Sequence, residues 1–232
     1  MTLQEELFDR ASRGWANLPP ERRAMYERAA ADLEASGIST RALGVGDAAP
    51  DFALPDPTGR MVRLRDLRAH GPVIISFYRG QWCPFCNLEL RGLQRALVEV
   101  EAVGATLVAI SPNTPDVTSN TVEELELEYP VLSDHDNQVA RMFNLVYEMT
   151  PENIEMYREI GRDIGSLNGT GKWELPVPAT YVVDSGGTIR YAFVDLNHRR
   201  RAEPSEVAEI AAHLSELGTP DPSRRPRVSG AK

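Results

Sequence analysis

Phe77-Tyr78-Arg79-Gly80-Gln81-Trp82-Cys83-Pro84-Phe85-Cys86 holds both cysteines of the 232-residue chain, in Cys-x-x-Cys spacing. An apolar run, Val73-Ile74-Ile75-Ser76-Phe77-Tyr78, enters this stretch, and a helix-periodic segment leaves it. Two thiols at a strand-to-helix junction point to thiol–disulfide chemistry. Pro84 suits the first helical position, where its missing N–H costs nothing. Cys83 then stands at the N-cap and Cys86 within the first turn. Free backbone N–H groups and the positive end of the helix dipole favour a thiolate there. Residues three apart on a helix are neighbours, so the two sulfurs can close a disulfide with little backbone movement. Arg79, just upstream, offers positive charge to the pocket.

The helix that follows sorts its residues onto two faces. Cys86, Leu90, Leu93, Leu97 and Val100 share one; Arg91, Arg95 and Glu99 lie on the other. Cys86 therefore begins the buried stripe, and Cys83 is expected at the mouth. On that basis Cys83 meets a large partner and Cys86 only a small molecule. Three plainer readings stand beside redox cycling: a zinc half-site, two inert core cysteines, and a static disulfide. A zinc site needs a second ligand pair, whereas His70, His135, His198 and His213 are scattered singly. A static disulfide does not suit a reducing compartment.

Around this centre the chain alternates strand and helix patterns. Residues 1–44 read as a helical extension, with Pro19-Pro20-Glu21 opening a helix that Gly37 ends, and with packing or oligomer contact as its expected role. Asp51–Pro55 and Arg60–Leu64 are strand candidates around a Pro57-Thr58-Gly59 turn. After the strand at 73–78 come a helix over about 84–103, a strand at 106–110 and a helix near 115–127. A short strand at 131–132, a short helix near 137–143 and a helical segment at 151–164 follow. Strands return at 179–183 and 188–194 around the Asp184-Ser185-Gly186-Gly187 turn. A last helix spans about 204–217. The order predicts an α/β domain over 45–218 with a central mixed sheet flanked by helices. Residues 219–232, rich in Pro, Arg and Ser, read as a disordered tail.

Composition narrows the function classes. Hydrophobic residues make up 42% and charged residues 25% of the chain, as in a soluble globular protein. A net charge of −9 argues against nucleic acid as a partner. No apolar run approaches the length of about 18 residues that suggests a membrane span. The start has no basic segment leading into an apolar one, so a cytoplasmic location is the expectation. The acidic cluster Glu123, Glu124, Glu126 and Glu128 reads as a solvated helix face rather than a metal site. Arg199, Arg200 and Arg201 read as surface charge after the last strand. Asn168-Gly169-Thr170-Gly171 lacks the lysine and following helix of a phosphate loop. No cofactor or metal is expected.

A second motif, Leu175-Pro176-Val177-Pro178-Ala179-Thr180, places Pro178 immediately before a strand, where a cis proline in a tight turn would be a deliberate feature. With this motif the chain, over about 45–196, resembles the thioredoxin fold superfamily. Within it the chain is similar to the peroxiredoxin-like branch, the alkyl hydroperoxide reductase/thiol-specific antioxidant family. Gly46-Asp47-Ala48-Ala49-Pro50-Asp51-Phe52-Ala53-Leu54 resembles that family's opening, and Thr58-Gly59-Arg60 with Val62, Leu64 and Leu67 its next segment.

The family's peroxidatic motif is Pro-x-x-x-Thr-x-x-Cys, often with Glu three residues on. Aligned through Phe77-Tyr78, Arg79 replaces the proline and Cys83 the threonine, while Cys86 falls on the peroxidatic cysteine and Glu89 on the glutamate. The resemblance thus implies Cys86 as peroxidatic and Cys83 as a local resolving partner. The family's later arginine would be replaced by Pro178, as in the cis-proline loop of thioredoxins.

The resemblance implies a thiol peroxidase that acts on hydrogen peroxide or organic hydroperoxides. The disulfide it forms would be reduced by a dithiol such as a thioredoxin-like protein, and a homodimer is the family-level expectation. Trp82-Cys83-Pro84-Phe85-Cys86 with Pro178 keeps open a thiol–disulfide oxidoreductase, with Cys83 forming the mixed disulfide. A redox-gated binding protein that uses the 1–44 arm and tail residues Arg224, Arg225 and Arg227 is a third reading.

Overall fold

The computed structural model describes residues 1–218. The tail read from sequence as disordered lies outside them. The chain opens with helices α1 (Leu3–Ala16), α2 (Pro20–Ala35) and α3 (Ile38–Arg41). Strands β1 (Ala53–Pro55) and β2 (Met61–Arg63) then pair antiparallel, and α4 (Leu64–Arg68) follows. Next come β3 (Val73–Phe77), α5 (Pro84–Ala102), β4 (Thr106–Ser111), α6 (Pro115–Leu125), β5 (Val131–Ser133) and α7 (Gln138–Met142). After β6 (Val146–Glu148) lie α8 (Pro151–Glu159) and α9 (Ile164–Leu167), then β7 (Glu174–Pro176). The chain continues with β8 (Ala179–Val183), β9 (Ile189–Val194) and α10 (Pro204–Gly218).

The central sheet has the order β5-β4-β3-β8-β9. β3 runs parallel to β4, and β4 to β5, while β8 is antiparallel to both β3 and β9. This is the mixed sheet that the alternation of patterns predicts. β3 is buried along its whole length because helices cover both faces of the sheet centre. Its residues alternate between two cores. Ile74 packs with Leu90, Leu93, Leu97, Val182 and Val207 under α5 and α10. Val73, Ile75 and Phe77 pack with Val108, Ile110, Phe143 and Tyr181 on the other face.

The N-terminal helices pack on the rest of the chain. Thr2 and Glu5 form a capping box that starts α1, a Thr-x-x-Glu signal absent from the sequence reading. Leu3 and Leu7 are buried, and Glu203 accepts hydrogen bonds from the backbone N–H groups of Leu3 (3.1 Å) and Gln4 (3.2 Å). α2 brings Met25 into a third cluster with Met149, Met156, Tyr157 and Trp173.

Two expectations need correction. The helical segment read over 151–164 is two helices, because the chain turns at Gly161 with φ of 74°. The paired strands β6 and β7 escaped the sequence reading, since three residues are too few to show alternation.

Phe143 is fully buried, with its ring 5.0 Å from Phe77 and 5.1 Å from Tyr181. Phe143→Ala should cost about 3–5 kcal/mol through lost transfer energy and the cavity left behind. Urea unfolding followed by circular dichroism checks this.

Candidate active site

The two sulfurs sit where β3 hands over to α5. Gly80 has a φ of 136°, and a side chain there would come within 2.7 Å of Trp82 Nε1 and 2.8 Å of Asn113 Oδ1. Glycine lets the chain turn tightly enough to bring Cys83 to the N-cap of α5. Asn113 holds this turn by accepting from the Gln81 N–H (3.1 Å) and donating to Asn168 Oδ1 (2.9 Å). The Asn168 loop therefore borders the site through Asn113.

Cys83 and Cys86 are both free thiols, and both are buried, at 1% and 0% exposure. This corrects the placement of Cys83 at an open mouth. The Arg79 guanidinium covers it, with Nη1 3.9 Å from Cys83 Sγ. Arg79 in turn stacks on the Trp82 ring at 4.7 Å, and Trp82 rests edge-on against Tyr157 at 5.1 Å. Helix periodicity faces the N-cap sulfur toward the helix end, but it cannot show that neighbouring side chains close over that end.

Arg201 is the residue the sequence reading missed. It is 1% exposed rather than surface charge, and its Nε pairs with Glu89 Oε2 at 2.6 Å. Its Nη2 lies 3.5 Å from Cys86 Sγ, and its Nη1 donates to the His198 and Arg200 carbonyls. Only Arg200 of the triplet is fully on the surface, paired with Asp195 at 3.2 Å. A second arginine, Arg201, thus joins Arg79 at the sulfurs, so the replacement of the family's later arginine by Pro178 does not leave the site without one. The Val177–Pro178 bond is trans, as no cis peptide occurs among the described residues. Pro178 is buried at the entry to β8 but does not form the cis-proline loop the motif suggested. Three consecutive arginines cannot reveal which one turns inward. The usable signal was Glu89: a carboxylate on the apolar face of α5 needs a buried cation.

Glu89 is held from several sides. Ser76 and Thr180 hydroxyls stand 3.5 Å from Oε1, on β3 and β8. Burial pushes its carboxyl above the usual range, and Arg201 pulls it back only part of the way.

The sulfurs themselves are split. Burial pushes the Cys83 thiol up, but the Cys86 thiol donating to it and the charges of Arg79 and Arg201 outweigh burial and leave it well below its ordinary value. Burial, the proton shared with Cys83, the Cys83 charge and Glu89 hold Cys86 well above its own, against the pull of Arg201. The helix N-terminus argues the same way, since the N-cap position feels the dipole most strongly. Of the two sulfurs, Cys83 is thus the one whose ionised form the surroundings favour, and Cys86 the one they disfavour. Among the described residues no group of three or more His, Cys, Asp or Glu side chains could hold a metal. No helix there is long and apolar enough to cross a membrane.

Residues 45–192 match the model of the AhpC/TSA family. The chain belongs to that family. Peroxiredoxin Bcp of Escherichia coli is 34% identical over 103 residues, which are 44% of this chain and 65% of that relative. The chain thus spans just under two thirds of the length of this relative. A Mycobacterium tuberculosis relative carrying a peroxiredoxin name is 30% identical over 150 residues, 65% of this chain and 84% of its own length. Among solved structures, Peroxidoxin BcpB from Mycobacterium tuberculosis shares the fold with a TM-score of 0.59 at 24% identity, over 76% of this chain and 99% of that one. Xanthomonas campestris Peroxiredoxin Q does so with a TM-score of 0.54 at 19% identity, over 75% and 98%. The thioredoxin-type fold of the family is therefore the fold of this chain.

Two measurements probe the charges. Arg201→Met strands the buried Glu89 carboxylate and should cost about 3–5 kcal/mol, most of it recovered in Glu89→Leu/Arg201→Met, by urea unfolding. Thiolate absorbance near 240 nm should titrate well below the ordinary cysteine range in the reduced protein. In Arg79→Met that transition should move to higher pH, because the thiolate loses its cation while burial remains.

Proposed function

We propose that this protein is a thiol peroxidase that reduces hydrogen peroxide or organic hydroperoxides with the Cys83–Cys86 pair. The supporting observation is the setting of the two sulfurs: Cys83 at the N-cap of α5 with Arg79 Nη1 3.9 Å away and its thiol held below the ordinary value, beside Cys86, whose thiol is held above it.

The Cys83 thiolate attacks one peroxide oxygen, and the O–O bond breaks. Cys83 becomes a sulfenic acid, and the departing alkoxide or hydroxide takes the Cys86 proton and leaves as alcohol or water. Cys86, now a thiolate, attacks the Cys83 sulfur and expels hydroxide, which leaves a disulfide. An external dithiol returns the pair to the reduced state. Each turn consumes two electrons and two protons. A reducing compartment, such as the cytosol, keeps the pair cycling.

The family register assigns the roles the other way, with Cys86 attacking, and the 3.5 Å approach of Arg201 to Cys86 favours that order. The N-cap position and the direction of both thiol shifts favour Cys83. A thioredoxin-like disulfide exchange is the second reading of the site, carried by the Cys-Pro-Phe-Cys dithiol at a helix N-terminus. The trans bond before Pro178 takes away its other support.

Sub-stoichiometric peroxide followed by mass spectrometry with a sulfenic-acid probe separates these cases. Cys86→Ser should accumulate sulfenic acid at Cys83, and Cys83→Ser should react no faster than free cysteine. Sulfenic acid on Cys86 in Cys83→Ser would reverse the two roles. Wild-type protein that turns over peroxide no faster than free cysteine would exclude the peroxidase.

A further inference from the structure

A cleft of about 690 Å³ ends at Arg79, whose guanidinium lies between it and Cys83. Its walls are α2, the start of β6 through Thr150, Tyr157 of α8, and the segment 194–199 after β9. Hydrogen peroxide needs no such space, and a chamber of this size suits a small organic molecule.

The chemistry of the cleft changes with depth. The acidic residues on its α2 side, Glu27, Asp32 and Glu34, are exposed and form the rim. Its inner end is aromatic and cationic, with Tyr157, Tyr147, His198 and Arg79. Arg79 is 5% exposed, and its Nε is buried without a hydrogen-bond partner. Arg199 also lines the cleft, stacked over the Trp15 ring at 4.7 Å. Neither arginine has an ion-pair partner among the described residues, while Arg201 next door is fully paired. Burial and the charges of Arg79, Arg201 and Arg199 keep His198 well below its ordinary range, so it adds no positive charge to the cleft. Arg79 faces Cys83 on its inner side, whereas Arg199 has no anionic group within ion-pair distance among the described residues. A buried guanidinium without a carboxylate is costly unless a ligand supplies one.

Resting on the peroxidase reading above, we infer that this cleft binds a small organic carboxylate with an apolar body, its anionic group received by Arg79 and Arg199, and that Arg79 links the bound molecule to Cys83. Two redox partners share that chemistry: a carboxylate-bearing hydroperoxide that oxidises the pair, or a carboxylate-bearing thiol that reduces it.

The first measurement is binding, independent of turnover. Reduced full-length protein is titrated with 4-phenylbutyrate and with 4-phenylbutyramide, following tryptophan fluorescence. The carboxylate should saturate and bind at least tenfold more tightly than the amide. Arg199→Gln should weaken the carboxylate at least threefold and leave the amide unchanged.

Two kinetic arms then assign the partner. One compares a hydroperoxy acid with its methyl ester as oxidant. The other compares N-acetylcysteine with N-acetylcysteine amide as reductant of the oxidised protein. A KM at least fivefold lower for the acid in either arm, reduced in Arg199→Gln, supports the inference and names the side served. Equal binding of phenylbutyrate and its amide, or no preference for the acid in both arms, overturns it. Carboxylate binding in a protein without peroxidase turnover would sink the proposed function and leave the site standing.

Discussion

The site depends on one buried ion pair. Glu89 of α5 and Arg201, from the segment between β9 and α10, meet at 2.6 Å beneath the sulfurs. Both are almost wholly enclosed, so neither charge is tolerable without the other. The pair ties the helix that carries the cysteines to the segment that closes over them. It also sets the electrostatics: Arg201 reaches Cys86 with its second nitrogen while Glu89 opposes ionisation of that same sulfur. Ionisation is thereby favoured at Cys83, beside Arg79, over Cys86.

This constraint gives the N-terminal helices a structural part in the site. Glu203, two residues beyond Arg201, caps the first backbone N–H groups of α1, and Gln4 donates to the Arg201 carbonyl. Gly92 of α5 lets Leu3 and Pro204 come close, since a side chain there would stand 3.5 Å and 3.3 Å from them. α1 thus braces the segment that positions Arg201. α2 walls the cleft that ends at Arg79. Elements that look like an appendage in the sequence are the outer shell around the two cysteines.

The family frame and the local departures from it have separate consequences. The frame supplies the mixed sheet and the helix after β3. The departures alter the turn between them. Cys83 in place of a threonine puts a second sulfur next to the first. Arg79 in place of a proline puts a cation over that sulfur and at the end of an organic-sized cleft.

The chain's own order of residues determined the sheet, the strand-to-helix junction and the nearness of the two cysteines. Those features arise from periodicity, from Pro84 at a helix start and from residues three apart, all of which are local. Glu89 was legible as well, through its register with the family's motif. What only the tertiary structure decided is which distant groups surround that junction. Arg201 stands 115 positions from Cys86, within a triplet of identical residues, and the turn after β9 alone selects it. The burial of Cys83, the trans bond before Pro178 and the cleft under α2 are likewise set by packing between segments far apart in sequence. Local propensity fixes how a backbone starts and ends an element, whereas the environment of a buried charge depends on long-range contacts that no short window of sequence contains.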